Sequence, residues 1–465
     1  MIKIYDNPIF RQYLVVITVN LCVLATGTSL MWSSPVLVKL KNSTQTVLPE
    51  PITDEEGSWI VAIGSLFGII VSFCIPYIAD RLGRKYGLIL ACLPRIIVGF
   101  LFVFATQVWM LLLGRAILGV TDSIIFTLVP MYASEMANKD IRGSLGSILQ
   151  ILCSFGVVIM LSIGPFVSYI AVNSMLLVLF TLTTLPLFFL PDSPYFLYSK
   201  GKQEEALKVL TFYRNSAFVA QEEIKQYEAD SLKQENVNLM DILRDRLFLK
   251  SLVLVTILAL GSQFVGFNAI IFYLQTVLES TQTTVRPEIA SVIIGLIQLT
   301  ASFGTTFMTD KFGRKPILSI TCAGMALGML GLGIFFKLKE LGAAGGILNY
   351  VPLMSLILVV YCYSAGFGSL FWVMGAELFN DRSRAMGMSI ALIIMGTSIF
   401  ITTKCFAQVT NAIGPAYTYW GFSVICVIML VFILFFIPET KGKSFAEIQD
   451  ILRNKNVKSE YNTKC

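Results

Sequence analysis

The sequence predicts an all-α membrane protein of twelve transmembrane helices, arranged as two related bundles of six. Three observations predict this fold class. The chain of 465 residues is 55% hydrophobic and only 14% charged, whereas soluble domains carry roughly a quarter charged residues. Its apolar residues gather in stretches of about twenty, the length a helix needs to cross a hydrocarbon core of roughly 30 Å. A set of charged motifs also occurs twice, in the same order, once in each half of the chain.

The predicted spans cover residues 11–33, 58–78, 86–106, 109–133, 143–164 and 172–190, then 250–273, 289–308, 315–336, 350–377, 386–408 and 416–437. The first apolar stretch has full length and follows Arg11 without a short small-residue cleavage pattern, so it reads as a resident helix and not a cleaved leader. Residues 192–249 break the apolar pattern with a run of charges and three amphipathic stretches, near Glu204–Tyr213, Glu222–Leu232 and Leu239–Arg244. The organisation expected is a bundle over 1–190, a cytoplasmic helical linker over 191–249, a second bundle over 250–437 and a cytoplasmic tail over 438–465.

Lys and Arg set the orientation. With both termini inside, only Lys39, Lys41, Arg286, Lys337 and Lys339 of the 35 basic residues fall on the outer side, and Arg95, Arg115 and Lys404 lie within helices. The net charge of +6 therefore sits where inner loops require it and calls for no nucleic-acid partner. The chain has no His, which removes imidazole bases, His-ligated metals and Ser-His-Asp triads and weighs against an enzyme. Cys22, Cys74 and Cys153 sit singly in apolar spans, as small hydrophobic fillers do. No cofactor, metal or obligate protein partner is expected; membrane lipid surrounds the chain. Asn42-Ser43-Thr44 is the sole glycosylation sequon and falls in the first outer loop of this topology.

Asp80-Arg81-Leu82-Gly83-Arg84-Lys85 after the second span recurs as Asp310-Lys311-Phe312-Gly313-Arg314-Lys315 after the eighth. Glu135, seven residues before Arg142, recurs as Glu377, seven before Arg384. The sixth and twelfth spans leave through Pro191-Asp192-Ser193-Pro194 and Pro438-Glu439-Thr440-Lys441. A Gly-containing turn permits tight reversal, and its cations can meet a Glu carboxylate and helix C-terminal carbonyls. Such clusters suit gates that latch helix bundles on one side. The plainer alternative is anchoring with surface ion pairs worth ~0–1 kcal/mol each, which duplication at both places disfavours.

These residues resemble the major facilitator superfamily, sugar porter family. The likeness spans nearly the whole chain and also rests on Gly114-Arg115, on Val129-Pro130 through Glu135, and on the tail Pro438 to Ser444. Trp32-Ser33-Ser34-Pro35, Glu56-Gly57-Ser58-Trp59 and Phe367-Gly368 look most like insect facilitated trehalose and glucose transporters. The resemblance implies facilitative uniport of one sugar by alternating access, at the plasma membrane. Proton-coupled sugar symport and a non-transporting nutrient sensor on the same fold are the alternatives.

A sugar hydroxyl donates and accepts, so its site wants amides, which do both, beside aromatic faces. Gln150, Gln263, Asn268 and Gln298 are amides within apolar spans. Alone, each equally suits an interhelical hydrogen bond worth ~0.6 kcal/mol. The resemblance makes Gln150 the fifth-helix sugar-binding amide, Gln263 and Asn268 the seventh-helix motif, Gln298 an eighth-helix contact and Trp372 the tenth-helix aromatic lining the pocket. Ser262 stands where the family usually has a further Gln, Met395-Gly396 where it has Asn-Trp, and Ser369-Leu370-Phe371 where Pro-x-Pro loosens the tenth helix; losing both prolines is expected to stiffen it.

Arg95 and Asp122 fall at matching depth in the third and fourth spans, where a lone charge costs ~2.5–3.5 kcal/mol, so an ion pair is expected. Asp122 as a proton carrier is the rival reading, disfavoured because a neighbouring cation holds a carboxylate ionised. Lys404 either snorkels or faces a cavity.

Overall fold

Asn7 begins the first helix by accepting the Ile9 N–H on its side chain, and Pro8 occupies the first turn, where an N–H is dispensable. From there the computed structural model describes residues 7–138, 141–234, 243–283, 285–343, 346–380, 383–443 and 445–453. Among these residues every regular element is helical. Eleven described helices are long and apolar enough to cross a membrane, and a shorter apolar helix, Ile148–Ile163, stands where the fifth span is predicted.

The first half comprises α1 (Pro8–Leu30), α2 (Ser33–Lys41), α3 (Asp54–Ser72), α4 (Ile75–Val103), α5 (Val108–Met136), α6 (Arg142–Ile163) and α7 (Tyr169–Thr184), the last extended by a 3-10 turn over Leu185–Phe189. The first span is longer than its apolar run suggested: α1 and α2 together cover Pro8–Lys41. Its terminal lysines find partners, Lys39 donating to the carbonyls of Gly164 and Pro165 at 2.8 and 3.3 Å and Lys41 pairing with Asp54. Thr53 and Glu56 close a capping box at the start of α3.

After the short helix α8 (Pro194–Ser199), helices α9 (Gln203–Arg214) and α10 (Ala217–Gln234) realise the first two amphipathic stretches of the predicted linker; residues 239–242 of the third lie outside the described residues. Helix α9 docks through its C-terminal carbonyls. Arg11 donates to Phe212 O at 2.7 Å and Gln12 to Tyr213 O at 2.8 Å, while Arg214 bridges Met136 O and Glu223.

The second half comprises α11 (Arg246–Phe264), α12 (Phe267–Phe272), α13 (Leu274–Thr281), α14 (Pro287–Phe312), α15 (Arg314–Glu340), α16 (Val351–Ala365), α17 (Phe367–Leu378), α18 (Arg384–Ile413) and α19 (Pro415–Phe436), followed by α20 (Phe445–Arg453). The tenth span bends without its prolines, contrary to the stiffening expected: Gly366 separates α16 from α17. A Cβ there would lie 2.1 Å from Thr321 Oγ1, so close packing on α15 requires glycine at the break.

By contacts the chain divides into two units, Met1–Asn236 with Phe272–Thr276, and Val237–Ile271 with Val277–Cys465. In the first unit small residues bring helices close. A Cβ on Gly119 would sit 1.8 Å from Gly64 O, and one on Gly156 2.0 Å from Leu24 O, which places α5 on α3 and α6 on α1 at backbone contact. Outward faces remain apolar, with Ile320 72% and Phe435 78% exposed. Hydrocarbon, not water, suits such surfaces.

Candidate functional site

In the first unit the repeated turn is a one-residue break. Gly83 interrupts α4 at φ 81°, ψ −177°, a conformation essentially restricted to glycine. The break presents backbone N–H groups to the carboxylate of Asp192, which accepts from Lys85 N at 3.4 Å and Ser193 N at 2.8 Å. Arg84 turns back to donate to Glu135 Oε1 at 2.8 Å and to Ala79 O at 3.2 Å. Ser193 Oγ donates to the other oxygen of Glu135, and Tyr132 ties the segment down through Pro191 O at 2.8 Å.

The second unit repeats this arrangement. Gly313 lies at φ 89°, ψ 165° between α14 and α15. Glu439 accepts from Arg314 N at 3.0 Å, Lys315 N at 3.1 Å, Thr440 N at 2.9 Å and Lys441 N at 2.8 Å. Arg314 donates to Glu377 Oε1 at 2.9 Å. Each Arg–Glu pair therefore joins two helices of one unit: α4 to α5, and α15 to α17. The two anchoring carboxylates differ electrically. Burial pushes Asp192 above its ordinary value, against the pull of its backbone donors. Partial burial also opposes ionisation of Glu439, but its four backbone N–H groups prevail and hold it below its ordinary value. Asp80 is exposed; the side chains of Arg142 and Asp310 lie outside the described residues, and Arg384 opens α18.

Within the first unit Arg95 Nη2 stands 3.0 Å from Asp122 Oδ1. The guanidinium also reaches Cys22 O and Ser29 Oγ, both at 3.3 Å, and lies over the Phe180 ring. Arg115 spends its donors on Ile60 O and Ser29 O. Carboxylate, carbonyl, hydroxyl and ring together thus surround the Arg95 cation, while its buried Nε has no hydrogen-bond partner among the described residues.

The amides gather unevenly. In the second unit Asn268 donates to Gln263 Oε1, Gln263 donates to Ser262 Oγ at 3.0 Å, and both amides stand in hydrogen-bonding reach of the Tyr363 hydroxyl. Phe267 stacks on the Tyr363 ring at 3.7 Å. The break at Gly266, φ 87°, brings Asn268 on α12 back over the end of α11. Gln298 on α14 has a buried Oε1 without a partner among the described residues. Trp372 is 43% exposed and meets Phe371 edge-on. Gln150, half-buried on α6, belongs to the other unit.

Sequence reasoning passed over Tyr363 and Asn173. Asn173 is an amide in an apolar span like those singled out, and it accepts from Trp32 Nε1 at 2.7 Å, an interhelical bond that locks the ring stacked on Phe102. Asn42 is exposed, its side chain accepting from Thr44.

Residues 20–452 match the family described as "Sugar (and other) transporter". The chain belongs to this sugar transporter family. Curated relatives of the family include a facilitated trehalose transporter, Tret1, of Polypedilum vanderplanki, 31% identical over 95% of this chain and 88% of its own length. Another is Tret1 of Aedes aegypti, 30% identical over 95% of this chain but 55% of its own length. Among solved structures, the inward-open xylose transporter XylE from E. coli superposes with a TM-score of 0.79 at 23% identity, covering 95% of this chain and 99% of that one. This likeness establishes the major facilitator fold. Members of the sugar transporter family are membrane transporters and not enzymes.

Proposed function

We propose that the chain is a facilitative uniporter of a small sugar, trehalose or glucose, at the plasma membrane with both termini cytoplasmic. The observation that carries the reading is the Gln263–Asn268–Tyr363 cluster with the stacked Phe267 ring. Its amide and hydroxyl groups donate and accept, as sugar hydroxyls do, and an aromatic face lies beside them. Gln298, whose buried oxygen has no partner among the described residues, and Trp372 are further proposed sugar-binding residues of the second unit, Gln150 is that of the first, and the relatives named for trehalose support the substrate class. Symport is disfavoured by two features. Residues 8–41 contain no Asp or Glu, and Asp122 is held by Arg95 at 3.0 Å.

The Arg84–Glu135 and Arg314–Glu377 clusters serve on this reading as gate elements. Each ties the cytoplasmic ends of its own bundle, with Asp80, Arg142, Asp310 and Arg384 as the remaining charges of the motif. Uptake of radiolabelled trehalose, glucose and fructose in oocytes tests the proposal. Gln263→Ala and Gln150→Ala are expected to lower uptake of the cargo at least tenfold, with parent uptake varying little between pH 5 and 8. Unchanged uptake in both variants would refute the site, and strong acid stimulation would refute uniport.

A further inference from the structure

Helices α8 and α9 form, with the adjoining turn of α4, a cavity of about 760 Å³. Arg81, Lys85, Lys200, Lys202 and Lys208 line it, against the carboxylates of Asp192 and Glu205. Both carboxylates are already engaged, Asp192 by backbone N–H groups and Glu205 by Lys202 at 3.4 Å. Lys85 Nζ donates to Phe188 O at 2.9 Å. Arg81, Lys200 and Lys208 have no carboxylate partner among the described residues; the first lies over the Tyr77 ring and the second over Phe196. Positive-inside anchoring accounts for the sign of these charges, but not for their convergence on one concave surface.

The rest of the wall is apolar and adjoins exposed apolar side chains. Leu82, Phe196 and Val209 line the cavity. Tyr86 at its edge is 58% exposed, and the neighbouring 3-10 turn leaves Phe189 88% exposed. A free polyphosphate would use the cations alone, whereas a lipid would use the cations for its headgroup and the exposed rings for its acyl chains. We propose that this cavity binds the headgroup of a polyanionic phospholipid of the phosphoinositide class, drawn from the leaflet beside α4 and the 3-10 turn. Clustered Lys and Arg next to a membrane helix recognise such headgroups because every added phosphate charge meets an uncompensated cation at the surface.

The test uses the full chain in phosphatidylcholine nanodiscs with and without phosphatidylinositol 4,5-bisphosphate, bound lipid being counted by native mass spectrometry. Saturable binding is expected, and Lys200→Gln, Lys202→Gln and Lys208→Gln combined should weaken it on the order of a hundredfold. Lys443→Gln, an exposed cation outside the cavity, should leave it unchanged. If the triple variant is poorly folded, Lys208→Gln alone should still weaken binding by about fivefold. Equal binding by the cavity variants and the parent would overturn the site. Inositol 1,4,5-trisphosphate binding as tightly as the lipid would overturn the lipid source in favour of a free polyphosphate. Sugar uptake does not enter the readout, so the outcome is independent of the cargo.

Discussion

Asp192 and Glu439 occupy equivalent places in the two halves and are tuned in opposite directions. A carboxyl lowered by its donors contributes stability that is present above its ordinary value, near 4.5 for Glu439, and lost as pH falls through the lowered one. A carboxyl raised by burial, from near 3.8 for Asp192, favours the folded state most at low pH and loses that contribution as pH rises through its raised value. Glu439→Gln should therefore lower the thermal unfolding temperature at pH 7 by roughly a few degrees and flatten its decline toward pH 4. Asp192→Asn should leave the value at pH 7 unchanged or raise it. Unfolding followed by Trp fluorescence in detergent checks both, and identical behaviour of the two variants would contradict the assignment. The motifs that place these carboxylates were legible in the sequence; their opposite tuning was not, because it depends on how deeply each carboxylate is buried and on the extra N–H groups that Thr440 and Lys441 turn onto Glu439.

At the scale of helices, close approach is what the sequence hides most thoroughly. The spans were legible from apolar length to within a few residues at most ends, since hydrocarbon thickness fixes that length. The breaks at Gly266 and Gly366 were not, because neither depends on proline and both depend on what packs against the backbone. The same logic separates glycines that look alike in sequence. Gly119→Leu should unfold or aggregate the protein in size-exclusion profiles, since a Cβ would meet Gly64 O at 1.8 Å, a backbone atom that cannot turn aside. Gly304→Ala meets nothing within 4 Å and should be neutral or stabilise by up to ~1 kcal/mol. Equal profiles for the two variants would remove the packing argument.

Across the whole molecule, the duplicated Arg–Glu clusters make the repeat a mechanical property and not only a sequence pattern. Arg84–Glu135 and Arg314–Glu377 have distances of 2.8 and 2.9 Å, so each half carries the same fastening at the same turn. On the proposed reading, Glu135→Gln together with Glu377→Gln should shift the population toward inward-open protein. Spin-label distances across the cytoplasmic side would report the shift, and unchanged populations would argue against a gating role. Of the candidate site, the residue types were readable because an amide in hydrocarbon demands explanation. The cluster built on Tyr363 was not, because a tyrosine in an apolar span raises no such demand.

The short segment Phe272–Thr276 has a consequence for biosynthesis. It lies beyond the linker in sequence, yet it groups with the first unit, where Ser33 Oγ donates to Phe272 O and Gln275 N donates to Ser34 Oγ, both at 3.1 Å. A ribosome that has delivered the first six spans has therefore not delivered all of the first unit. Until the next membrane helix is threaded, the Ser33 and Ser34 hydroxyls lack these two hydrogen-bond partners. Expressing the two halves as separate polypeptides cut within the linker would make that last piece arrive in trans.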